Sequence, residues 1–445
     1  MPEYVIPVLM FVLLFIGVLS GFPLGFALGG IGLIVGLVIW GEGSFGLHVI
    51  RLWMLVGSGE TPYVMSAGAL FLIMGLFLER TGVTDTLYAA MHLWMGPFRG
   101  GLAIGTVIIA TMLAACTGII GASVVMMGLI GIPAMLKHGY DKELATGCVS
   151  AGGTLGILIP PSLMLVFYGP MAQLSVGKLF MAAFMPGFLL SALYITYIAV
   201  RCFFQPHLAP ALPAEERRVP LTYKLRIGIT AILPPVFLIL AVLGSIFAGI
   251  CPPTEAAAVG ALGAMLLSIA YRKLTWQALY SAIKELMAIG GTFCIVFAGA
   301  SMFTGVFIGI GGGRMVGDLL LGMEATVGRW GILVIMMFVV FLLGYVLDWI
   351  GIILIIVPVF TPVAIGLGFD PLWFALLVCI NLQMCFLTPP MAPALFYLKA
   401  IVPEGVTMGH LMRGVIPFVV LQLVGLGLCM AFPQIVLWLP SQMIK

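Results

Sequence analysis

Two short segments hold the residues of this chain best suited to binding an ion or a charged solute. The first reads Gly152–Gly153–Thr154–Leu155–Gly156–Ile157–Leu158–Ile159–Pro160–Pro161–Ser162. Glycines lower helix propensity, and two successive prolines remove two backbone donors and clash with the preceding turn. Carbonyls near 153–158 are thereby freed. Loose carbonyls and the C-terminal ends of half-helices suit a hard cation such as Na⁺, whereas half-helix N-termini suit a carboxylate. The second segment reads Asn381–Leu382–Gln383–Met384–Cys385–Phe386–Leu387–Thr388–Pro389–Pro390, where Asn381, Gln383 and Thr388 offer side-chain oxygens. A third feature is Asp348, which interrupts the otherwise apolar run Trp330–Ile365. An ionised carboxylate there is costly unless paired, hydrated or bound to a cation. We expect a cation ligand or gate residue; the plainer alternative is a position shallow enough for water to reach it.

The two broken segments are copies. Pro133, Gly139–Tyr140–Asp141, Pro160–Pro161 and Phe167–Tyr168 return as Pro362, Gly368–Phe369–Asp370, Pro389–Pro390 and Phe396–Tyr397, always 229 residues later. Gly177, Leu179 and Pro186 return as Gly409, Leu411 and Pro417, at offsets of 231 to 232. A single Pro-Pro break is commonly only a kink. Two at matched places point to the binding site of a secondary transporter. Asp141 and Asp370 follow Gly-aromatic at matched helix entries and read as N-caps. Glu60 and Glu255 sit at the starts of spans and read as helix N-terminal residues.

The surrounding chain dictates a membrane setting. Its 445 residues are 62% hydrophobic and 8% charged, with a mean hydropathy of +1.24. Runs such as 4–41, 100–136, 144–177 and 371–398 contain no Asp, Glu, Lys or Arg. A bilayer span needs about 20 such residues. The pattern predicts an all-α polytopic membrane protein, and the period-2 alternation of a barrel is missing. The net charge of +3 leaves no nucleic-acid footprint. The eight cysteines fall mostly in apolar runs without a CxxC and read as packing residues. The first apolar run is long and lacks a basic leader, so it reads as a span and not as a signal peptide.

Two inverted repeats are expected, 1–203 and 228–445, joined by a cytoplasmic linker, 204–227, that serves only to connect them. Repeat 1 holds spans near 4–20, 23–40 and 61–78, a surface helix near 84–97, a re-entrant hairpin 101–133, a broken helix 143–168 and a span near 180–202. Repeat 2 holds spans near 228–249, 254–271 and 287–310, a short helix near 315–323, a hairpin 330–363, a broken helix 372–398 and a span near 414–438. Each repeat then has five full crossings, about ten in all, and the odd number forces inversion. With the linker in the cytoplasm, 14 of the 19 Lys and Arg fall on the cytoplasmic side and both termini lie outside. The hairpin assignment rests on length: 100–136 is too long for one span and too short for two, and Cys116–Thr117–Gly118–Ile119–Ile120–Gly121–Ala122–Ser123 sits mid-run. Such backbone is tolerated at membrane depth only against protein or a water-lined cavity.

These residues resemble the large membrane subunit (the M, or DctM-like, component) of tripartite ATP-independent periplasmic (TRAP) transporters. The resemblance covers essentially the whole chain. It is carried by Gly100–Gly101–Leu102–Ala103, the Gly153–Thr154–Leu155–Gly156 to Pro160–Pro161–Ser162 segment, Pro253–Thr254–Glu255–Ala256–Ala257–Ala258 and Thr388–Pro389–Pro390. It implies an elevator-type transporter, Na⁺-coupled uptake of a carboxylate-bearing solute, a small four-helix membrane subunit (DctQ-like) and a periplasmic solute-binding protein (DctP-like). The bacterial inner membrane is the implied location, with no enzymatic activity and no organic cofactor.

Carried over by position, cation sites lie at tip 116–123 with 153–156 and at tip 344–351 with 381–388. The implied cation residues are Gly118, Gly153, Thr154, Gly156, Gly344, Asp348, Gly351, Asn381 and Gln383. The implied solute residues are Thr117, Gly121, Ser123, Pro160, Pro161, Ser162, Thr388, Pro389 and Pro390. The chain departs from the common Ser-Gly-Ser-Ser form at the first tip, and Met391–Ala392–Pro393 replaces the usual residues after the second Pro-Pro. The solute is therefore left open among dicarboxylates, keto- or hydroxy-acids and aromatic acids. A stand-alone ion-coupled organic-anion carrier is the alternative. An intramembrane protease is more remote, because Gly366–x–Gly368–x–Asp370 has one residue too many before the Asp.

Overall fold

The computed structural model describes residues 4–56, 60–118, 120–213, 219–389 and 392–442, and these form an all-helical protein. Repeat 1 comprises α1 (Val5–Leu19), α2 (Leu24–Trp40), α3 (Gly43–Val56), α4 (Glu60–Arg80), α5 (Val83–Met95), a hairpin of α6 (Gly101–Thr117) and α7 (Ile120–Lys137), a broken helix of α8 (Lys142–Thr154) and α9 (Leu163–Met171), and α10 (Val176–Phe204). Repeat 2 comprises α11 (Leu221–Phe247), α12 (Pro253–Ala270), α13 (Trp276–Gly309), α14 (Gly312–Gly322), a hairpin of α15 (Glu324–Leu343) and α16 (Trp349–Gly366), a broken helix of α17 (Pro371–Cys385) and α18 (Pro393–Lys399), then α19 (Met408–Ala431) and α20 (Gln434–Ser441). Among the described residues, eight helices are long and apolar enough to cross a bilayer, or nine if α4 and α5, bent by 60°, count as one span.

The repeats interlock crosswise. Helix α2 packs along α13, and α12 packs along α4, so the second helix of each repeat lies on a long helix of the other: the third in repeat 2 and, because α3 intervenes, the fourth in repeat 1. Helix α19 lies on α8, and α10 touches α17. Small residues allow these approaches, as membrane helices gain little from apolar contact alone. A Cβ on Gly299 would sit 2.0 Å from the Gly25 carbonyl, and one on Gly147 would sit 2.2 Å from that of Gly414. Backbone therefore meets backbone at both crossings.

The helix ends follow from local chemistry. The Asp141 carboxylate accepts from the amides of Glu143 and Leu144, and its repeat mate Asp370 accepts from Leu372 and Trp373. Both are N-caps, as their spacing predicted. Glu255 falls in the first turn of α12.

Four features differ from the sequence expectation. Helix α3 was not expected; Arg51 and His48 broke its apolar run. Helix α13 starts at Trp276 instead of 287 and runs 34 residues, about 51 Å at 1.5 Å per residue, longer than a bilayer core. Lys284 and Glu285 mark where it leaves the apolar run and not where it ends. The final span breaks at Phe432–Pro433 into α19 and α20. The linker does more than connect the halves: Ala209 and Leu212 are buried. The Ala209 carbonyl accepts from Gly100, the Leu208 carbonyl accepts from Asp141, and Leu212 donates to Gly96. Every buried backbone polar group needs a partner, and this segment finds its partners at the base of the first hairpin.

Candidate functional site

The broken helices meet at the centre of the molecule. Helix α8 ends in a 3-10 turn at Leu155–Ile157, where the Leu155 carbonyl accepts from both Leu158 and Ile159. Pro160 and Pro161 contribute no N–H, and the Ser162 hydroxyl donates to the Ile157 carbonyl. In repeat 2, the Thr388 hydroxyl donates to the Met384 carbonyl at 2.8 Å, closing the end of α17 in the same manner. Thr154 and Gln383 are repeat mates, 229 residues apart, and they touch: Gln383 Nε2 donates to Thr154 Oγ1 at 3.4 Å. Two equivalent positions can meet only on the pseudo-two-fold axis, so this bond marks it.

The first tip is built around Gly118, whose φ of +61° is left-handed. A Cβ there would lie 3.2 Å from the Pro161 carbonyl oxygen and 3.6 Å from the Leu163 nitrogen. The N-terminal ends of α7 and α9 therefore meet at Gly118, beside the C-terminal end of α6. Each N-terminal end carries partial positive charge from unpaired amides. Gly153 packs onto the backbone of α7, where a Cβ would come within 2.3 Å of Val124. Gly156 is buried in the 3-10 turn, and Ser123 is buried in α7. Of Thr117 only the backbone, the last residue of α6, is described.

The second tip is different. Asp348 has extended backbone (φ −71°, ψ 154°) immediately before α16. The amides of Trp349 and Ile350 lie beside its carboxylate, with no full capping hydrogen bond. Asp348 is exposed, but to interior space: it borders both a cavity of about 120 Å³ and one of about 570 Å³. The smaller cavity is enclosed by Gly344, Leu347, Leu382, Cys385 and Pro393. Asn381 turns away to donate to the Met337 carbonyl of α15, and its Oδ1 is buried without a partner among the described residues. Gln383 Oε1 is likewise buried and unpartnered. Gly351 faces α2, where a Cβ would lie 3.0 Å from Leu24. The structure thus brings Gly344 and Asp348 to one small cavity, places Thr154 and Gln383 on the axis, and sets Asn381 and Gly351 apart. Pro389 is half-buried beside Thr388, and Pro390 lies outside the described residues.

The larger cavity joins the tips. Gly118, Ile120, Gly121 and Ala122 form one wall with Ile157 and Leu163; Asp348, Trp349, Phe386 and Tyr397 form another. The third wall comes from α4 and α13: Glu79, Glu285, Ile289, Thr292 and Phe293. Arg80 bridges these two helices, donating to Glu285 at 2.8 Å and to the Ala278 carbonyl at 2.8 Å.

A family model described as tripartite ATP-independent periplasmic transporter, DctM component, matches residues 8–435. The chain belongs to this family. It is 31% identical over 380 residues to the C4-dicarboxylate TRAP transporter large permease protein DctM of Pseudomonas aeruginosa, covering 85% of this chain and 86% of that one. It is 26% identical over 400 residues to the sialic acid TRAP transporter permease protein SiaT of Haemophilus influenzae, covering 88% of this chain and 63% of that longer protein. Its fold resembles the crystal structure of the Alcanivorax borkumensis YdaH transporter, with TM-score 0.64, 16% identity and coverage of 96% and 98%.

In this DctM-family chain, sequence reasoning missed the third wall of the cavity. Glu79 and Glu285 sit at charged span ends that served only to set orientation. Tyr397 was visible as the repeat mate of Tyr168. Tyr168 is fully buried, whereas Tyr397 is exposed to the cavity and its ring packs beside Gly121.

Proposed function

We propose that this large permease subunit moves a carboxylate-bearing solute across the bacterial inner membrane, driven by Na⁺. The observation that carries the reading is the convergence of the α7 and α9 N-termini on a cavity whose opposite wall holds Asp348. Two positive helix ends suit the carboxylate of the solute. Asp348, bordering a second and smaller cavity, suits the coupling ion, a hard cation that takes oxygen ligands. The Asn381 and Gln383 side chains point elsewhere, to Met337 and to Thr154, so Asp348 is the side-chain donor on which this reading rests. Solutes differ among the relatives, C4-dicarboxylate in one and sialic acid in another.

In this reading the crosswise scaffold of α2, α4, α12 and α13 stays fixed while hairpins and broken helices move as an elevator. Both termini are periplasmic and the chain makes ten full crossings, with the hairpins re-entrant. The cavity reaches Glu79 and Glu285, on helix ends that charge counting puts in the cytoplasm, so the conformation is inward-facing. A small membrane subunit packs on the scaffold and a periplasmic binding protein delivers the solute.

The test is reconstitution into liposomes with an inward Na⁺ gradient. Uptake is expected only with the small subunit and a loaded binding protein present. Full uptake by this chain alone would favour the stand-alone carrier.

A further inference from the structure

The larger cavity has a composition that discriminates among carboxylates. Two helix N-termini, those of α7 and α9, meet its wall at Gly118, Ile120 and Leu163. Away from that point the polar lining is acidic: Glu79, Glu285 and Asp348. Among the described lining residues none is Lys, Arg or His. Arg80 lies close by, but its guanidinium is engaged by Glu285 and the Ala278 carbonyl. The remaining surface is aromatic and aliphatic. Phe293 and Trp349 meet edge to face with centroids 5.8 Å apart, and both rest on Phe167 at 6.0 Å. Phe386 and Tyr397 extend this wall towards Gly121.

We infer that the solute is a monocarboxylate with an aromatic or branched apolar body, in place of a dicarboxylate or a polyhydroxylated acid. This rests on the carboxylate-transport reading above. One carboxylate fits at the paired helix ends. A second would meet no cationic side chain among the described lining residues, and the Glu79 carboxylate would repel it. A polyhydroxylated body could place a few hydroxyls on Glu79 or Thr292, but most would lie against the aromatic and aliphatic walls. Hydroxyls buried without partners lose affinity. A ring or branched chain gains by contact: apolar surface leaves water, and aromatic pairs favour edge-to-face or offset stacking. The volume of about 570 Å³ lies within the range of small-molecule sites. The aromatic wall of Phe293, Trp349, Phe386 and Tyr397 comes from the second repeat, with Phe167 of the first buried behind it.

The test is equilibrium binding to the full-length chain with its small subunit in lipid nanodiscs, in Na⁺ and in K⁺. Three probes are used: phenylpyruvate, 4-methyl-2-oxopentanoate and succinate. The inference expects Na⁺-dependent binding of the first two, each at least about tenfold tighter than succinate, a gap of about 1.4 kcal/mol. Phe293→Ala and Tyr397→Ala should each weaken phenylpyruvate at least about tenfold, as for buried aromatic contacts elsewhere. Succinate bound as tightly as phenylpyruvate, or phenylpyruvate binding unmoved by both variants, overturns the inference and leaves the carboxylate reading standing. Binding of none of the three in Na⁺ overturns both.

Discussion

At the first hairpin tip the chain turns through Gly118 and enters α7, and two helix N-termini face the cavity. At the second tip α16 begins directly behind Asp348, and a carboxylate faces the same cavity. The offset of 229 places Asp348 opposite Ile119, which lies outside the described residues. Both tips lead into a helix N-terminus, but only the second adds a formal negative charge there. In the proposed reading the first tip serves the anion and the second the cation. The axis between them is marked by the Thr154–Gln383 hydrogen bond, itself made from unlike residues at equivalent positions. An inverted repeat supplies the geometry for alternating access. In the proposed reading, divergence at a few tip residues supplies the chemistry.

The most severe way to break this comparison is to make the tips alike. Gly121→Asp would put a second carboxylate at the first tip, beside Tyr397 and the converging helix ends. Solute binding should fall more than about 100-fold, since a like charge at close range in low dielectric costs several kcal/mol. Binding measured at saturating Na⁺ checks this, with membrane abundance as the control for folding.

A smaller effect separates backbone strain from side-chain crowding. Gly118→Ala forces a non-glycine residue to φ +61° against the Pro161 carbonyl. It should cost about 1–2 kcal/mol of thermal stability, and no neighbouring substitution should restore it. Gly344 has an ordinary φ of −63°, and a Cβ there would meet Cys385 Sγ at 2.3 Å. Gly344→Ala should destabilise as well, but Cys385→Gly in the same chain should recover most of the loss. Melting temperatures of the two single variants and the double variant decide the point.

The smallest effect belongs to the axis. Gln383→Leu removes a long hydrogen bond together with a buried unpartnered oxygen. The two terms oppose each other, so stability should change by about 1 kcal/mol or less. A larger loss would mean that Gln383 does more than join the repeats.

Much of this was legible in the sequence because membrane structure obeys few rules. Charge-free runs marked the spans, the Pro-Pro pairs marked the breaks, and the Gly-aromatic-Asp entries marked the caps of α8 and α17. Helix ends that project into water were not legible. Lys224 and Arg226 lie inside α11, and Lys284 and Glu285 lie inside α13, because a helix needs no apolar residue once it leaves the bilayer. The third wall of the cavity was hidden for the same reason, since Glu79 and Glu285 belong to those projecting ends. Which oxygens of the broken segments share a space was also beyond sequence. Asn381 and Gln383 within α17, and Asp348 ahead of α16, point in three directions. Only side-chain orientation distinguishes them.

The central claim is that the second tip holds the coupling cation and the first tip holds the solute. Its most direct test is the Na⁺ dependence of solute binding by Asp348→Asn in nanodiscs, beside the unaltered protein. The claim predicts that half-saturating Na⁺ rises at least about tenfold, the scale of a lost charge-assisted contact. Solute affinity at saturating Na⁺ should stay close to that of the unaltered protein. An unchanged Na⁺ titration, or a loss of solute affinity that no Na⁺ concentration restores, would contradict it.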